Sequence, residues 1–312
     1  MRAMTVIVRD LRIEDPGDVG RFVHCRHLAL PHMLWNEDAV RHHRTHTHPD
    51  AHYRCLVAEE EGETIGTAQT GLAYDSPEPG QGHLNVYVRP DRTGRGAGGL
   101  LVRTAEEHLA ARGATRLFSW VLDEPGHRAF AERRGYRPSR SSHFLRLDLA
   151  GGTSPALPDP PPGVELRTAA DFADDPRPLF LLDAEVTADE PSDVPAEFTD
   201  YEVWLRETWR HPLLDLGLTS VAVAGGRPVA FSLAHTDGTT RYATAMTGTA
   251  RAFRGQGLAG LVKRHSLHRA RAAGYEEALT GNDSDNAPML AINRRLGYEI
   301  RATEVRHVRE LG

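Results

Sequence analysis

The sequence predicts a mixed α/β fold written twice, as two tandem copies of one domain. Three observations predict it. The run Val88-Arg-Pro-Asp-Arg-Thr-Gly94-Arg-Gly96-Ala-Gly98-Gly-Leu-Leu is echoed by Thr249-Ala-Arg-Ala-Phe-Arg254-Gly255-Gln-Gly257-Leu-Ala259-Gly-Leu-Val. A later run, Ala131-Glu-Arg-Arg-Gly135-Tyr136, is echoed by Asn293-Arg-Arg-Leu-Gly297-Tyr298. Gly96 and Gly257 lie 161 residues apart and Gly135 and Gly297 lie 162 apart, so one register spans two separate motifs. Third, the Pro- and Gly-rich stretch before Gly163 can hold neither a helix nor a central strand, and reads as a stiff spacer. The expected organisation is a domain over 1–150, a linker over 151–163 and a second domain over 164–312.

The elements follow in the same order in both copies. Val6–Arg9 and Val164–Arg167 read as first strands. Helical segments follow near Pro16–His27 and Asn36–His43, and near Pro176–Ala188 and Phe198–Trp209. Tyr53–Glu60 meets Glu63–Ala73 across Glu61-Gly62, and Ser220–Ala224 meets Arg227–His235 across Gly225-Gly226, both hairpin signals. A strand running into the glycine loop (Gly82–Val88; Arg241–Thr249) leads to an amphipathic helix (Ala97–Arg112; Leu258–Ala273). Then come a strand (Arg116–Val121; Glu276–Thr280), a helix (Gly126–Arg134; Asn286–Leu296) and a closing strand (Ser142–Asp148; Thr303–Val308). A meander that turns into a crossover helix and a neighbouring strand makes a mixed sheet.

Composition bounds the function. The 312 residues suit two domains, and 40% hydrophobic with 26% charged residues fit a soluble globular protein. A net charge of −6 argues against nucleic acid or anionic membrane as a general partner, because counterion release needs a basic face. Cys25 and Cys55 form no disulfide framework, zinc spacing or CxxC pair, so a reducing cytoplasm is expected. No apolar run approaches the roughly 20 residues of a membrane span. Lys263 is the only lysine.

The second glycine loop explains itself physically. A strand ends and Arg254-Gly-Gln-Gly-Leu-Ala259 opens a helix. Glycines let backbone approach a ligand, and the free amides of the first helical turn sit at the positive end of the helix dipole. That is an anion site suited to a diphosphate. A P-loop is excluded because no Gly-Lys-Ser/Thr ends the run. A dinucleotide loop is disfavoured because such loops follow the first strand of their domain, whereas this one follows the fourth.

Both halves resemble GNAT-superfamily N-acetyltransferases, and the whole chain resembles the tandem, mycothiol-synthase-like members of that superfamily. Their loop reads Arg/Gln-x-x-Gly-x-Gly/Ala, which Arg254, Gly257 and Ala259 match in full. In the first half Gly96 and Gly98 match, but Thr93 stands where Arg is expected, with Arg92 before it. Asn286-Ala-Pro-Met289-Leu-Ala-Ile-Asn293-Arg-Arg-Leu-Gly297-Tyr298 is similar to the superfamily's Asn-x-x-Ala-x-x-x-Tyr-x-x-Leu-Gly-Phe. The resemblance implies two tandem GNAT domains using acetyl-CoA as co-substrate and no metal. It also implies a coenzyme site of Met246, Thr247, Thr249, Arg254, Gly255, Gln256, Gly257, Leu258, Ala259, Asn286 and Asn293. In the first copy Val86, Val88, Gly94, Gly96 and Gly98 would hold whatever coenzyme-binding capacity remains.

Departures from the pattern decide which half is expected to work. Asn293 replaces the tyrosine that protonates the departing thiolate in many members, and an amide supplies no acidic proton. The first half has Ala131 there, and Glu124 in place of the pantetheine asparagine. The second half is therefore expected to be catalytic, through Asn293, Thr247 and His235, and the first to be degenerate. His235, Asp237 and Glu304 lie on segments that could flank the cleft and supply a base. The histidines His42, His43, His46, His48 and His52 suit a solvated loop or acceptor contact better than a metal. Phe198, Tyr201, Trp204 and Trp209 read as core before substrate wall, Asp189, Glu190 and Asp193 as a solvated turn before charges that steer a cationic amine, and Arg251 as either a surface arginine or a phosphate contact.

The expected function is direct acetyl transfer to the primary amine of a small molecule, by a cytoplasmic monomer or homodimer. Transfer to a protein or peptide amine, and a non-catalytic coenzyme-binding module, are the alternatives.

Overall fold

The computed structural model describes residues 5–74, 76, 78–151, 156–189 and 200–311. Met1–Met4, spacer residues 152–155, Glu190, Asp193 and Phe198 lie outside the described residues. The first copy runs β1 (Val6–Asp10), α1 (Pro16–Ala29), α2 (Glu37–His46), β2 (Arg54–Glu60), β3 (Glu63–Leu72), β4 (Gln81–Val88), α3 (Ala97–Ala110), β5 (Arg116–Leu122), α4 (Pro125–Glu132) and β6 (Arg137–Asp148). The second repeats it: β7 (Val164–Thr168), α5 (Arg177–Thr187), α6 (Tyr201–Trp204), β8 (Ser220–Ala224), β9 (Arg227–Thr236), β10 (Arg241–Thr249), α7 (Leu258–Ala272), β11 (Glu277–Asp283), α8 (Ala287–Arg295) and β12 (Glu299–Glu310). The mixed α/β class and the duplicated order are those the sequence predicts.

Local chemistry accounts for the boundaries. Asp15 caps α1 by accepting from Gly17 N–H, with Pro16 at the first helical position, and Asn36 caps α2 by accepting from Ala39 N–H. The β2–β3 and β8–β9 turns place both central residues at positive φ, Glu61 and Gly62 in one and Gly225 and Gly226 in the other. Trp209 closes a short π-helical turn, Leu205–Trp209, where the sequence predicts ordinary helix.

The chain forms two compact units: Met1–Ser142 with Ala302–Gly312, and His143–Arg301. In the first unit β1, β2, β3, β4, β5 and the Ala302–Glu310 part of β12 lie side by side. β12 pairs antiparallel with β5, from Glu304 opposite Leu122 to Glu310 opposite Arg116. One core cluster gathers Leu56, Ile65, Leu84, Leu101, Leu109 and Leu117 beneath α3, and another gathers Val19, Phe22, Val40, Cys55 and Val57 beneath α1 and α2.

In the second unit the order is β7, β8, β9, β10, β11, then the His143–Asp148 part of β6. There Arg146 binds Glu277, and Leu149 N–H donates to the Glu276 carbonyl at 2.8 Å. The halves drawn on the sequence thus differ from the units at the closing strands. The sequence order groups Ser142–Asp148 with the first copy and Thr303–Val308 with the second, yet β12 completes the first unit's sheet and β6 the second's. A strand pattern specifies which face is apolar and leaves the partner open.

Phe180, Tyr201, Trp204 and Trp209 pack together in the second unit's core, with Trp204 only 1% exposed and its indole N–H donating to Asp183. The core reading of these aromatics fits the structure. Cys25 and Cys55 are both buried free thiols, and burial pushes Cys25 up to about 11, which leaves it a poor nucleophile. Among the described residues no helix is long and apolar enough to cross a membrane, and no three His, Cys, Asp or Glu side chains converge as metal ligands.

Candidate active site

In the first unit β4 stays paired with β3 as far as Val88, opposite Gly66, but its parallel ladder with β5 covers only Gln81 to His83. Beyond His83 the strands fork. Asn85 Oδ1 bridges the start of the gap by accepting from Trp120 N–H at 2.9 Å. The fork opens into a cavity of about 740 Å³. Val86 and Val88 line it from β4, Ser119 to Leu122 from β5, and Phe130, Ala131 and Tyr136 from α4 and beyond. Gly94 to Gly99 close its far end.

That end is built for an anion. Gly96 caps α3 at φ +90°, a left-handed conformation that L side chains rarely adopt, and a Cβ there would meet only open space. No side chain caps the helix, so the first-turn amides of α3 face the cavity mouth. Arg92, Arg95, Arg133 and Arg134 also line the cavity. Arg92 binds Glu63 at 2.7 Å, Arg95 binds the buried Glu60 at 2.7 Å, and the Arg134 guanidinium lies 3.6 Å from the Phe130 ring centroid.

The second unit repeats the fork with different filling. β10 pairs with β11 from Arg241 to Thr244 and then parts from it, while a bulge between Thr244 and Met246 shifts its register on β9. Gly257 caps α7 at φ +78°. At the positions of Val102, Ser119 and Ala131 stand Lys263, Thr280 and Asn293, each larger and polar, and all three are buried. The Lys263 ammonium donates to Thr280 Oγ1 at 3.3 Å and lies 5.2 Å from the Tyr298 ring centroid; burial pulls it down to about 7.

The residues singled out from the sequence fall as follows. Asn293 is fully buried on α8 and donates to Asn282, while its own carbonyl oxygen has no partner among the described residues. Asn286 caps α8, accepting from Met289 N–H at 3.2 Å. Thr247 sits past the bulge with its hydroxyl 3.3 Å from that of Ser232, and Met246 packs against the α5 and α6 core. His235 stacks on His211 with ring centroids 4.8 Å apart. Asp237 is occupied in a turn, accepting from Thr239, Thr240 and Arg241 N–H. Arg254 reaches back to the Thr249 carbonyl at 3.2 Å and to Asp189 at 2.6 Å. Gly255 has φ +78°, Gln256 is exposed, Leu258 is buried and Ala259 is half-buried in the first turn of α7.

Asp189, which the sequence offers as part of a solvated turn or a steering charge for a cationic amine, is an ion-pair partner of two arginines. It binds Arg251 at 2.8 Å and Arg254 at 2.6 Å, and the two guanidiniums hold its carboxyl well below the usual range. The loop arginine that matches the family pattern is thus engaged internally. The cavity-lining arginines Arg95, Arg133 and Arg134 are not singled out by the sequence. Their only signal in the sequence is proximity to the first glycine loop and to Gly135.

The profile of the acetyltransferase (GNAT) family matches residues 22–136 and again 182–298. The chain is 31% identical over 302 residues to a mycothiol acetyltransferase of Kineococcus radiotolerans, covering 94% of this chain and 95% of that one. It is 28% identical over 309 residues to a mycothiol acetyltransferase of Clavibacter michiganensis subsp. michiganensis, covering 96% and 95%. Among solved structures, a tandem GNAT protein from the clavulanic acid biosynthesis pathway has a TM-score of 0.74 at 21% identity, covering 99% of both chains. A GCN5-related N-acetyltransferase from Sphaerobacter thermophilus has a TM-score of 0.72 at 21% identity, covering 98% of this chain and 95% of that one.

Proposed function

Because the chain belongs to the acetyltransferase (GNAT) family and is an N-acetyltransferase, we propose that it moves an acetyl group from acetyl-CoA to the primary amine of a small molecule. We further propose that the working coenzyme site is in the first unit. The observation that carries this is the 740 Å³ cleft between the forked β4 and β5, ending on the open amides of α3.

A coenzyme fits that cleft by its chemistry. The diphosphate would meet the Gly94–Gly96 loop, the α3 dipole and the neighbouring arginines, where a helix start adds about 0.3–1 kcal/mol for an anion. The amide-rich arm would run along the edge of β4 that β5 leaves unpaired. Holding amine and thioester in register contributes up to about 7–11 kcal/mol in ideal cases. A backbone N–H aimed at the thioester oxygen adds to that. The small-molecule acceptor is supported by relatives named for mycothiol.

Gly96 and Gly257 give a matched test, since each caps its helix at positive φ with open space around a Cβ. Both Gly96→Glu and Gly257→Glu incur a similar backbone cost of about 1–2 kcal/mol. Isothermal titration with acetyl-CoA is expected to show at least tenfold weaker binding for G96E and less than threefold change for G257E. The reverse order would move the coenzyme to the second unit, where the family pattern is more complete. Mass spectrometry with an amine library then separates enzyme from binding module: an acetylated product with released CoA supports transfer, and tight binding without turnover supports a sensor.

A further inference from the structure

The cleft of the first unit passes through its sheet. Val86, Val88, Ser119 and Val121 line it on the α3 side, while Tyr87, Trp120 and Leu122 line it on the side covered by α1 and α2. Alternation along a strand puts neighbours on opposite faces, so a cleft touching both sets is open to both faces. An acetyl group carried in from the α3 side therefore meets its acceptor on the α1 side.

Glu124 lines the cavity beyond the end of β5, and beside the lining residue Leu122 stands a second acid, from the last strand of the chain. Glu304 on β12 stands directly opposite Leu122 on β5. Opposed residues of an antiparallel pair share a face, with Cβ atoms about 4.5–5.5 Å apart. Its carboxylate is close enough to the Tyr87 hydroxyl to raise that group electrostatically. No hydrogen bond or ion pair ties Glu304 down among the described residues, although it is half-buried. Paired carboxylates such as Asp10 with Arg54 or Glu59 with Arg9 show how this fold treats a structural acid. Glu304 is left out of such pairing.

We propose that Glu304 is the catalytic base of this acetyl transfer, taking a proton from the acceptor ammonium on the α1 face of the first unit. This rests on the coenzyme being bound in the first unit. The ammonium gives one proton to the Glu304 carboxylate. The freed amine nitrogen bonds to the acetyl carbon, the carbon–sulfur bond breaks with its electron pair going to sulfur, and the second nitrogen proton ends on that sulfur. Products are the N-acetyl amine, CoA thiol and one proton released when Glu304 ionises again.

Burial alone moves Glu304 up to about 8, in range for a base that must hold and release a proton near neutrality. The other groups on that face stay out of the window. His83 from β4 and His43 from α2 are both held near 4 by burial, and Tyr87 and Tyr53 are pushed above 10. Cys55 of β2 is raised above 9. Arg26 from α1 stacks on Tyr87 at 4.7 Å, Arg306 of β12 on Phe118 at 4.1 Å, and Arg140 of β6 lies 6.0 Å from Trp120; all three are permanent cations. An acid limb near pH 8 would therefore belong to Glu304.

The test is Glu304→Gln in the full-length protein, with ethylamine, tyramine and glucosamine as acceptor probes. Wild-type kcat/KM is expected to rise with pH through about 8. E304Q is expected to lose about 10²-fold or more in kcat. It should also lose that limb, with acetyl-CoA affinity within threefold of wild type, and Glu304→Asp should restore part of the rate. An E304Q enzyme within threefold of wild type with the limb intact would overturn the proposal. If no probe amine turns over, the Glu304 carboxyl is titrated by carbon-13 NMR against E304Q with acetyl-CoA bound. An apparent value near 8 that falls when ethylamine is added sustains the assignment; an ordinary, amine-insensitive value overturns it. Failure of the first-unit reading is separately visible, as acetyl-CoA binding that G96E does not disturb.

Discussion

Lys263 shows how much one side chain can carry. It is fully buried, its neutral form is favoured by desolvation, and its contacts are a hydroxyl and an aromatic face. Its pKa falls from 10.5 unfolded to about 7 folded, so between these values the unfolded chain binds more protons and stability rises with pH. The penalty is full below about 7 and gone above about 10.5. Urea denaturation of wild type should therefore gain roughly 1 kcal/mol per pH unit over Lys263→Met between about pH 7.5 and 9.5. Parallel curves for the two proteins would show that the ammonium is hydrated. The sequence singled out Lys263 by its uniqueness alone, and burial had no signal there. The family resemblance singles out Asn293 and Arg254, whereas the pairing of Asp189 with Arg254 was not legible, because partners 65 residues apart in sequence leave no local pattern.

The element scale is where the sequence was most readable. Strand, helix and hairpin signals fall within a few residues of the observed boundaries, because capping residues, glycine turns and apolar periodicity act locally. Packing of elements on one another was not readable. Gly248 on β10 is one case: a Cβ there would lie 2.2 Å from Val186 Cγ1 of α5, so the helix rests on bare backbone. The first copy has Tyr87 at the matching position, and there the cleft is open. Gly248→Ala should destabilise the protein by about 1–3 kcal/mol in chemical denaturation. Val186→Ala added to it should recover part of that loss, since the two changes share one contact. Simple additivity of the two costs would mean that α5 shifts freely.

At the scale of the whole molecule, the two sequence copies and the two compact units differ by their closing strands. A fragment ending at 150 would lack β12 and leave β5 with an open edge. Such a fragment is expected to aggregate or unfold, and a version extended by a linker and residues 302–311 to regain cooperative melting; equal stability of the two would refute the dependence. Duplication was legible because it repeats motifs at one offset, but which sheet each last strand joins was not, since β-pairing is chosen by the assembled fold. The same limit left Glu304 one of three candidate bases, counted with the second copy, until its strand is laid beside β5.

The most direct measurement is a crystal structure of the full chain grown with acetyl-CoA. The coenzyme is predicted between β4 and β5, its diphosphate on the amides behind Gly96 and its thioester reaching the face that carries Tyr87 and Glu304. Coenzyme found only between β10 and β11, beside Asn286 and Asn293 with the first fork empty, would contradict the account.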